Sequence, residues 1–193
     1  IINTTEKDLN RLAQQIKNTD ILVLTRERTA VDGTLLSLLP RLKLISQTGK
    51  ISNHLNLEDC TKYKVAVAEG IGSPIAPAEL TWALLMNTVR QIPQAIEGMK
   101  NGNWQINIGS TIQGKTLGIW GYGKIGQTIA QYGKVFGVKV LIWGSAASRA
   151  MAVADGFDKA ESKEMFFKTA DIITLHLRLN ETTFGIVKES NLL

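Results

Sequence analysis

Cysteine is nearly absent from this chain of 193 residues, in which Cys60 stands alone. One thiol cannot close an internal disulfide, and no metal-ligand company surrounds it. Neither a disulfide scaffold nor a metal site is therefore expected, and a reducing cytoplasm is the simpler home. Proline is scarce as well, with four in the chain, and aromatic residues make up only 6%. No apolar run approaches bilayer-spanning length, and the start, Ile1-Ile2-Asn3-Thr4-Thr5-Glu6, lacks the basic region and apolar core of a signal peptide, so no membrane partner is expected. The charges, 22 basic against 17 acidic for a net +5, form no basic block and no pattern interleaved with aromatics. That argues against nucleic acid and for a mild attraction to small anions. What the chain does have is apolar content, 44% of its residues, enough for one large domain or two small ones with real cores. Its first residue is not Met, and Lys188 to Leu193 reads like the beginning of a helix. Both ends are thus expected to be cut.

The most informative stretch is Leu117-Gly118-Ile119-Trp120-Gly121-Tyr122-Gly123-Lys124-Ile125-Gly126, an apolar run that breaks into a glycine-rich turn and restarts as a helix. Gly121 permits a tight turn out of a strand, Gly123 lets backbone approach a pyrophosphate, and Gly126 lets the new helix pack close to the strand. The helix offers Ile125, Ile129, Val135 and Phe136 as an apolar stripe, and its first turn aims free N–H groups and the positive end of the dipole at phosphates. Such a glycine pattern is weak alone. Here a strand precedes it, a helix follows, and Val138 to Trp143 makes a second strand, the context that a dinucleotide site requires.

In order along the chain, a helix is expected from Thr5 to about Asn18, a buried strand at Ile21–Leu24, and a short helix capped by Asp32 that Pro40 ends. A strand at Leu42–Ser46 leads into the loop Gln47 to His54. There Thr48, Gly49 and Lys50 either hold a carboxylate through backbone N–H groups and a cation or belong to an ordinary polar loop. A helix over Asn56–Tyr63 and a strand at Val65–Ala68 follow. The stretch from Gly70 to Pro77 reads as a linker, Ala78 to Gln91 as a long buried helix that Pro93 kinks or ends, and a further helical piece as running to Lys100. Strands alternating with helices mean α/β architecture with doubly wound parallel sheets. The domain change is expected near residue 101: residues 1–100 form a substrate domain with a linker helix over 77–100, and 101–193 form the first part of a dinucleotide-binding domain.

With these pieces in place the chain resembles the D-isomer-specific 2-hydroxyacid dehydrogenase family. The resemblance is carried by Leu44 to Leu57 around Gly49, by Pro77-Ala78-Glu79-Leu80-Thr81, by Gly114-Lys115-Thr116-Leu117-Gly118 leading into Gly121 to Gly126, and by Ala170 to His176 before Glu181-Thr182-Thr183-Phe184-Gly185. It implies a flavodoxin-like substrate domain and a Rossmann-like cofactor domain, incomplete here, with a cleft between them and a homodimer built on the cofactor domains. It also implies an NAD(P)-dependent transfer of hydride between the nicotinamide and a small D-2-hydroxy acid or 2-keto acid. Lys124 and Ile125 then meet the pyrophosphate, His176, Leu177 and Thr183 line the cofactor, and Thr48, Gly49 and Lys50 hold the substrate carboxylate. The catalytic Arg, Glu and His of the family lie beyond the last residue, so no catalytic residue is assigned within this chain and the chain alone is expected to be inactive. His54 and His176 are poor substitutes. The sequence departs from the family pattern at Ile51, Asn53, Ser73 and Arg178. Two other readings of the glycine motif are a dinucleotide-sensing binding protein of the corepressor kind on the same fold, and an adenosylhomocysteine hydrolase, which lacks the pattern at Leu42 to Asn56.

The second strand of a dinucleotide fold normally ends in an acid that binds the adenine ribose and repels the extra phosphate of NADP. By count from Gly126 that position is Gly144, followed by Ser145, Ala146, Ala147, Ser148 and Arg149. The acid is gone and donors replace it, so NADP is favoured over NAD.

Overall fold

The computed structural model describes residues 6–192. The chain divides into two compact units, Ile1–Ser73 and Pro74–Leu193.

The first unit alternates helix and strand: α1 (Leu9–Ile16), β1 (Ile21–Leu24), α2 (Gly33–Ser37), β2 (Leu44–Gln47), α3 (Leu57–Lys62) and β3 (Ala66–Glu69). Each helix starts at a side-chain acceptor that satisfies amides the first turn leaves unpaired. Asp8 accepts from Arg11 N, Asp32 from Thr34 N and Leu35 N, and Asn56 from Asp59 N. Asp59 also accepts from Gly33 N at 2.7 Å, which places a second carboxylate at the positive end of α2. The helix start expected at Thr5 lies outside the described residues. The strands pair in parallel in the order β1-β2-β3, with Leu22, Ile45 and Val67 in register across the sheet. Ile45, Leu35, Leu36, Leu39 and Cys60 are buried in one core. Burial, with the nearby Asp59 charge, pushes the Cys60 thiol above its ordinary range, so it serves as a small protonated packing group.

The second unit opens with two helices, α4 (Ile75–Arg90) and α5 (Ile92–Lys100). It continues as β4 (Thr116–Trp120), α6 (Lys124–Val135), β5 (Lys139–Trp143), α7 (Ala146–Ala154), β6 (Asp158–Lys159), α8 (Lys163–Thr169), β7 (Ile172–Leu175) and a 3₁₀ turn at Glu189–Asn191. The four strands are parallel in the order β6-β5-β4-β7. Two connections therefore wind to one side of β4 and the next crosses to the other, the start of a doubly wound dinucleotide fold. Alternation along the strands sorts two cores. Leu117, Ile119, Val140 and Ile142 join Ile129 of α6 and Ala152 of α7 in one, while Trp120 and Leu141 join Phe166 of α8 in the other. Among the described residues no helix is long and apolar enough to cross a membrane.

Three expectations are corrected. The compact units divide at Pro74, whereas the sequence places the change near residue 101. Ala78 and Leu85 of α4 pack in the same core as Leu117 and Ile129, so the helix expected as a linker belongs with the dinucleotide fold. The stretch expected to be linker through Pro77 is already helical from Ile75, because a first-turn proline lacks only an N–H that the helix does not use. The break between α4 and α5 is made by Gln91 in the left-handed conformation, φ +53°, with Pro93 inside the first turn of α5. On α6 the buried face is Gly126, Ile129, Ala130 and Gly133, at helical spacing, while Val135 is 83% exposed. Small residues bring this helix so close to the sheet that a Cβ on Gly133 would sit 2.9 Å from Val138.

Candidate dinucleotide site

The turn after β4 has backbone that only glycine takes without strain. Gly121 has φ +103°, and a Cβ there would lie 2.6 Å from the carbonyl oxygen of His176. Gly126 is tighter still, since its Cβ would lie 2.2 Å from the Gly121 carbonyl oxygen. Between them Gly123 caps α6 with extended backbone, and a Cβ on it would meet nothing within 4 Å. The first bond of α6 runs from Gln127 N to Gly123 O at 2.9 Å. The amides of Lys124, Ile125 and Gly126 thus carry no helical partner, a set of donors suited to phosphate. Ile125 contributes only its amide, because its side chain packs against the core.

Tyr122, between Gly121 and Gly123 of the turn, points inward. Its ring is buried against Phe157, and its hydroxyl donates to Asp155 Oδ2 at 2.8 Å, at the end of α7. Burial and the adjacent Asp155 carboxylate push the phenol well above its ordinary range, so the group stays a neutral donor. Gln127 Nε2 donates to the Tyr122 carbonyl at 3.2 Å. The turn is held from both sides by contacts that the motif does not encode.

Gly144 follows β5 beside this turn: Gly121 N donates to Trp143 O at 2.8 Å. Ser145 caps α7, its hydroxyl accepting from Ser148 N and lying 3.1 Å from Ser148 Oγ. Arg149 folds back so that its guanidinium stacks 4.7 Å over the Trp143 ring. On the other side of β4, His176 N donates to Trp120 O at 2.8 Å and Leu177 packs in the Phe166 core. Thr183 closes a local turn, its hydroxyl donating to Arg178 O at 2.6 Å and accepting from Asn180 N at 2.9 Å.

The second nitrogen of His176, Nε2, lies 2.7 Å from Thr174 Oγ1, and burial pushes the imidazole below its ordinary 6.5. As pH falls through 6.5 the unfolded chain takes up this proton before the folded one, so stability is lost with falling pH until the folded imidazole is also protonated. His176→Gln is expected to flatten that part of the decline in melting temperature below neutral pH. An unchanged slope in the variant would show that His176 does not carry it.

The residues Thr48, Gly49 and Lys50 lie in the first unit, in the loop after β2. Thr48 Oγ1 donates to Thr25 O at 3.3 Å, and the surroundings of Gly49 are open. Lys50 Nζ is paired with the Glu69 carboxylate, which also accepts from Ile51 N at 3.1 Å. Gly70 N donates to Gln47 O and Gly49 O, and a Cβ on Gly70 would lie 2.2 Å from Thr48 O. This loop is therefore tied to the end of β3 by a carboxylate that the sequence reading missed. His54 Nε2 is 3.3 Å from Gln47 Oε1. The only available signal was that Lys50 stands in the loop after one strand and Glu69 at the end of the next.

A glycine turn with one open and two closed Cβ positions, feeding amides at a helix start in a β6-β5-β4-β7 sheet, defines a Rossmann-like dinucleotide-binding unit. Residues 82–193 match the model of the D-isomer specific 2-hydroxyacid dehydrogenase NAD binding domain, and the chain belongs to that family. It is 30% identical to a D-3-phosphoglycerate dehydrogenase of Bacillus subtilis over 99% of this chain and 37% of the relative. It is also 30% identical to a glyoxylate reductase of Thermococcus litoralis, over 94% of this chain and 57% of the relative. Among solved structures it is similar to a phosphoglycerate oxidoreductase of Vibrio cholerae, with 50% identity, a TM-score of 0.89, and coverage of 99% of this chain and 62% of that one. The chain thus spans roughly a third to six tenths of the length of these relatives.

Proposed function

We propose that the protein transfers a hydride between a nicotinamide dinucleotide and a small D-2-hydroxy acid or its 2-keto counterpart, with the Pro74–Leu193 unit as cofactor domain and the Ile1–Ser73 unit as substrate domain. The observation that carries this is the open space at Gly123 between two glycines that admit no side chain. When bound, the nicotinamide would donate or accept the hydride. The amides of Lys124, Ile125 and Gly126 orient the pyrophosphate, Gly144, Ser145 and Arg149 face the adenosine ribose, and His176, Leu177 and Thr183 line the other end. Thr48, Gly49 and Lys50 receive the substrate carboxylate, which has to draw Lys50 away from Glu69 or bind the open backbone at Gly49. The dehydrogenase and reductase names of the relatives favour an enzyme over a dinucleotide-sensing protein. Reduced dinucleotide fluorescence on titration with the protein tests the reading at its cofactor site. Saturable binding is expected, and no binding at millimolar cofactor would overturn it.

A homodimer in the cytoplasm fits the same reading. Leu80 and Leu84, one turn apart on α4, are 61% and 59% exposed, apolar surface suited to a second copy of the chain. Sedimentation at micromolar concentration is expected to give a dimer. A monomer throughout would remove this part of the proposal.

A further inference from the structure

The loop after β5 holds a cation without an anion. Arg149 Nη1 reaches the carbonyl oxygens of Ala160 and Glu161 only at 3.5 Å each, and its Nε is buried with no hydrogen-bond partner. Among the described residues no carboxylate pairs with it: Asp155, the nearest acid in sequence, accepts from the Tyr122 hydroxyl, and Glu161 pairs with Lys159 at 3.2 Å. A guanidinium has five donors in a rigid fork, so this one retains most of its hydrogen-bonding capacity. Its position over the Trp143 ring holds the fork at the end of β5.

The rest of the loop is a set of donors. Arg149 N donates to Ser145 O at 3.0 Å as the first bond of α7, which leaves the amides of Ala146 and Ala147 without helical partners. Ser145 and Ser148 share one hydrogen bond between their hydroxyls, so one of the two hydroxyl hydrogens has no acceptor in that pair. Gly144 supplies no side chain, and a Cβ there would lie 3.7 Å from Gly121 N. The loop is therefore next to the glycine turn, within the span of one dinucleotide.

Resting on the dinucleotide reading, we propose that Arg149, with the Gly144–Ser148 loop, selects the dinucleotide carrying a phosphate on the adenosine 2′-oxygen. The guanidinium turns from two long carbonyl contacts to a charge-assisted pair with that phosphate, and no acid in the loop opposes it. Calorimetric titration of the protein with adenosine 2′,5′-bisphosphate and with adenosine 5′-monophosphate isolates this contact from any turnover. The bisphosphate is expected to bind roughly ten- to hundredfold tighter. Arg149→Ala should remove most of that margin and leave the monophosphate affinity in place. Ser145→Asp preserves an N-cap acceptor while adding a negative charge, and should reverse the preference. Equal binding of the two nucleotides, or an undiminished margin in Arg149→Ala, would overturn the proposal while the dinucleotide reading stands. Binding of neither would overturn both.

Discussion

Gly126→Ala is expected to destabilise the Pro74–Leu193 unit by about 3 kcal/mol or more, at or beyond the usual range for overpacking. The added methyl would lie 2.2 Å from the Gly121 carbonyl oxygen, which is backbone and is held by the turn on one side and by β4 on the other. Relief requires α6 to move away from the sheet, opening contacts of Ile129 and Ala130, both fully buried. Gly123→Ala carries the same chemical change three residues earlier and is expected to behave in the opposite way. Its backbone, φ −82° and ψ −169°, accepts alanine, and the methyl meets nothing within 4 Å. The entropy gain of about 0.4–1 kcal/mol from losing a glycine roughly offsets the loss of a few tenths or more from a poorer N-cap. Stability should hardly change, while dinucleotide affinity should fall on the order of tenfold or more, because the methyl occupies the space through which phosphate approaches the amides. Thermal melting and dinucleotide titration of the two variants separate a glycine needed by the fold from one needed by the ligand. Equal loss of stability in both would show that the open space at Gly123 has no such meaning.

The second large effect is on the opposite face of the sheet. Phe166→Ala is expected to cost about 3–5 kcal/mol. Phe166 is fully buried, its ring centroid 6.1 Å from that of Trp120 and 5.5 Å from that of Phe167, edge to face in both cases. It fills the groove left by Gly118, where a Cβ would meet the ring at 2.8 Å. The two positions are therefore complementary, and their substitutions should not add. Gly118→Ala should cost less in the Phe166→Ala background than in the wild type, with a coupling energy of about 0.5–3 kcal/mol. Denaturant unfolding of the four proteins measures it, and strict additivity would contradict the packing described.

Much of this fold was legible because its signals are local. Ile21–Leu24 and Trp120-Gly121 mark strand and turn by neighbouring residues alone, and Asp32 and Asn56 cap helices through amides two or three residues on. What escaped depends on pairs distant in sequence. Nothing near Tyr122 announces Asp155, nothing near Lys50 announces Glu69, and the Trp143 ring meets Arg149 only because α7 turns back over the end of β5. The extent of α6's buried face failed for a related reason. Val135 has the right chemistry and the wrong angle, and it is small residues, Gly126, Ala130 and Gly133, that set how closely the helix lies on the sheet. The boundary between the units was hidden because the apolar residues of α4 do not say which core they enter, and only contact with Leu117 and Ile129 decides it.

We propose that the start of α6 grips a pyrophosphate through its backbone. Amide chemical-shift mapping with adenosine diphosphate ribose, which has the pyrophosphate and lacks the nicotinamide, tests it at the atoms concerned. The largest changes are expected at the amides of Gly123, Lys124, Ile125 and Gly126, with a second group from Gly144 to Arg149. Changes confined to other parts of the chain, or none at saturating ligand, would contradict the account.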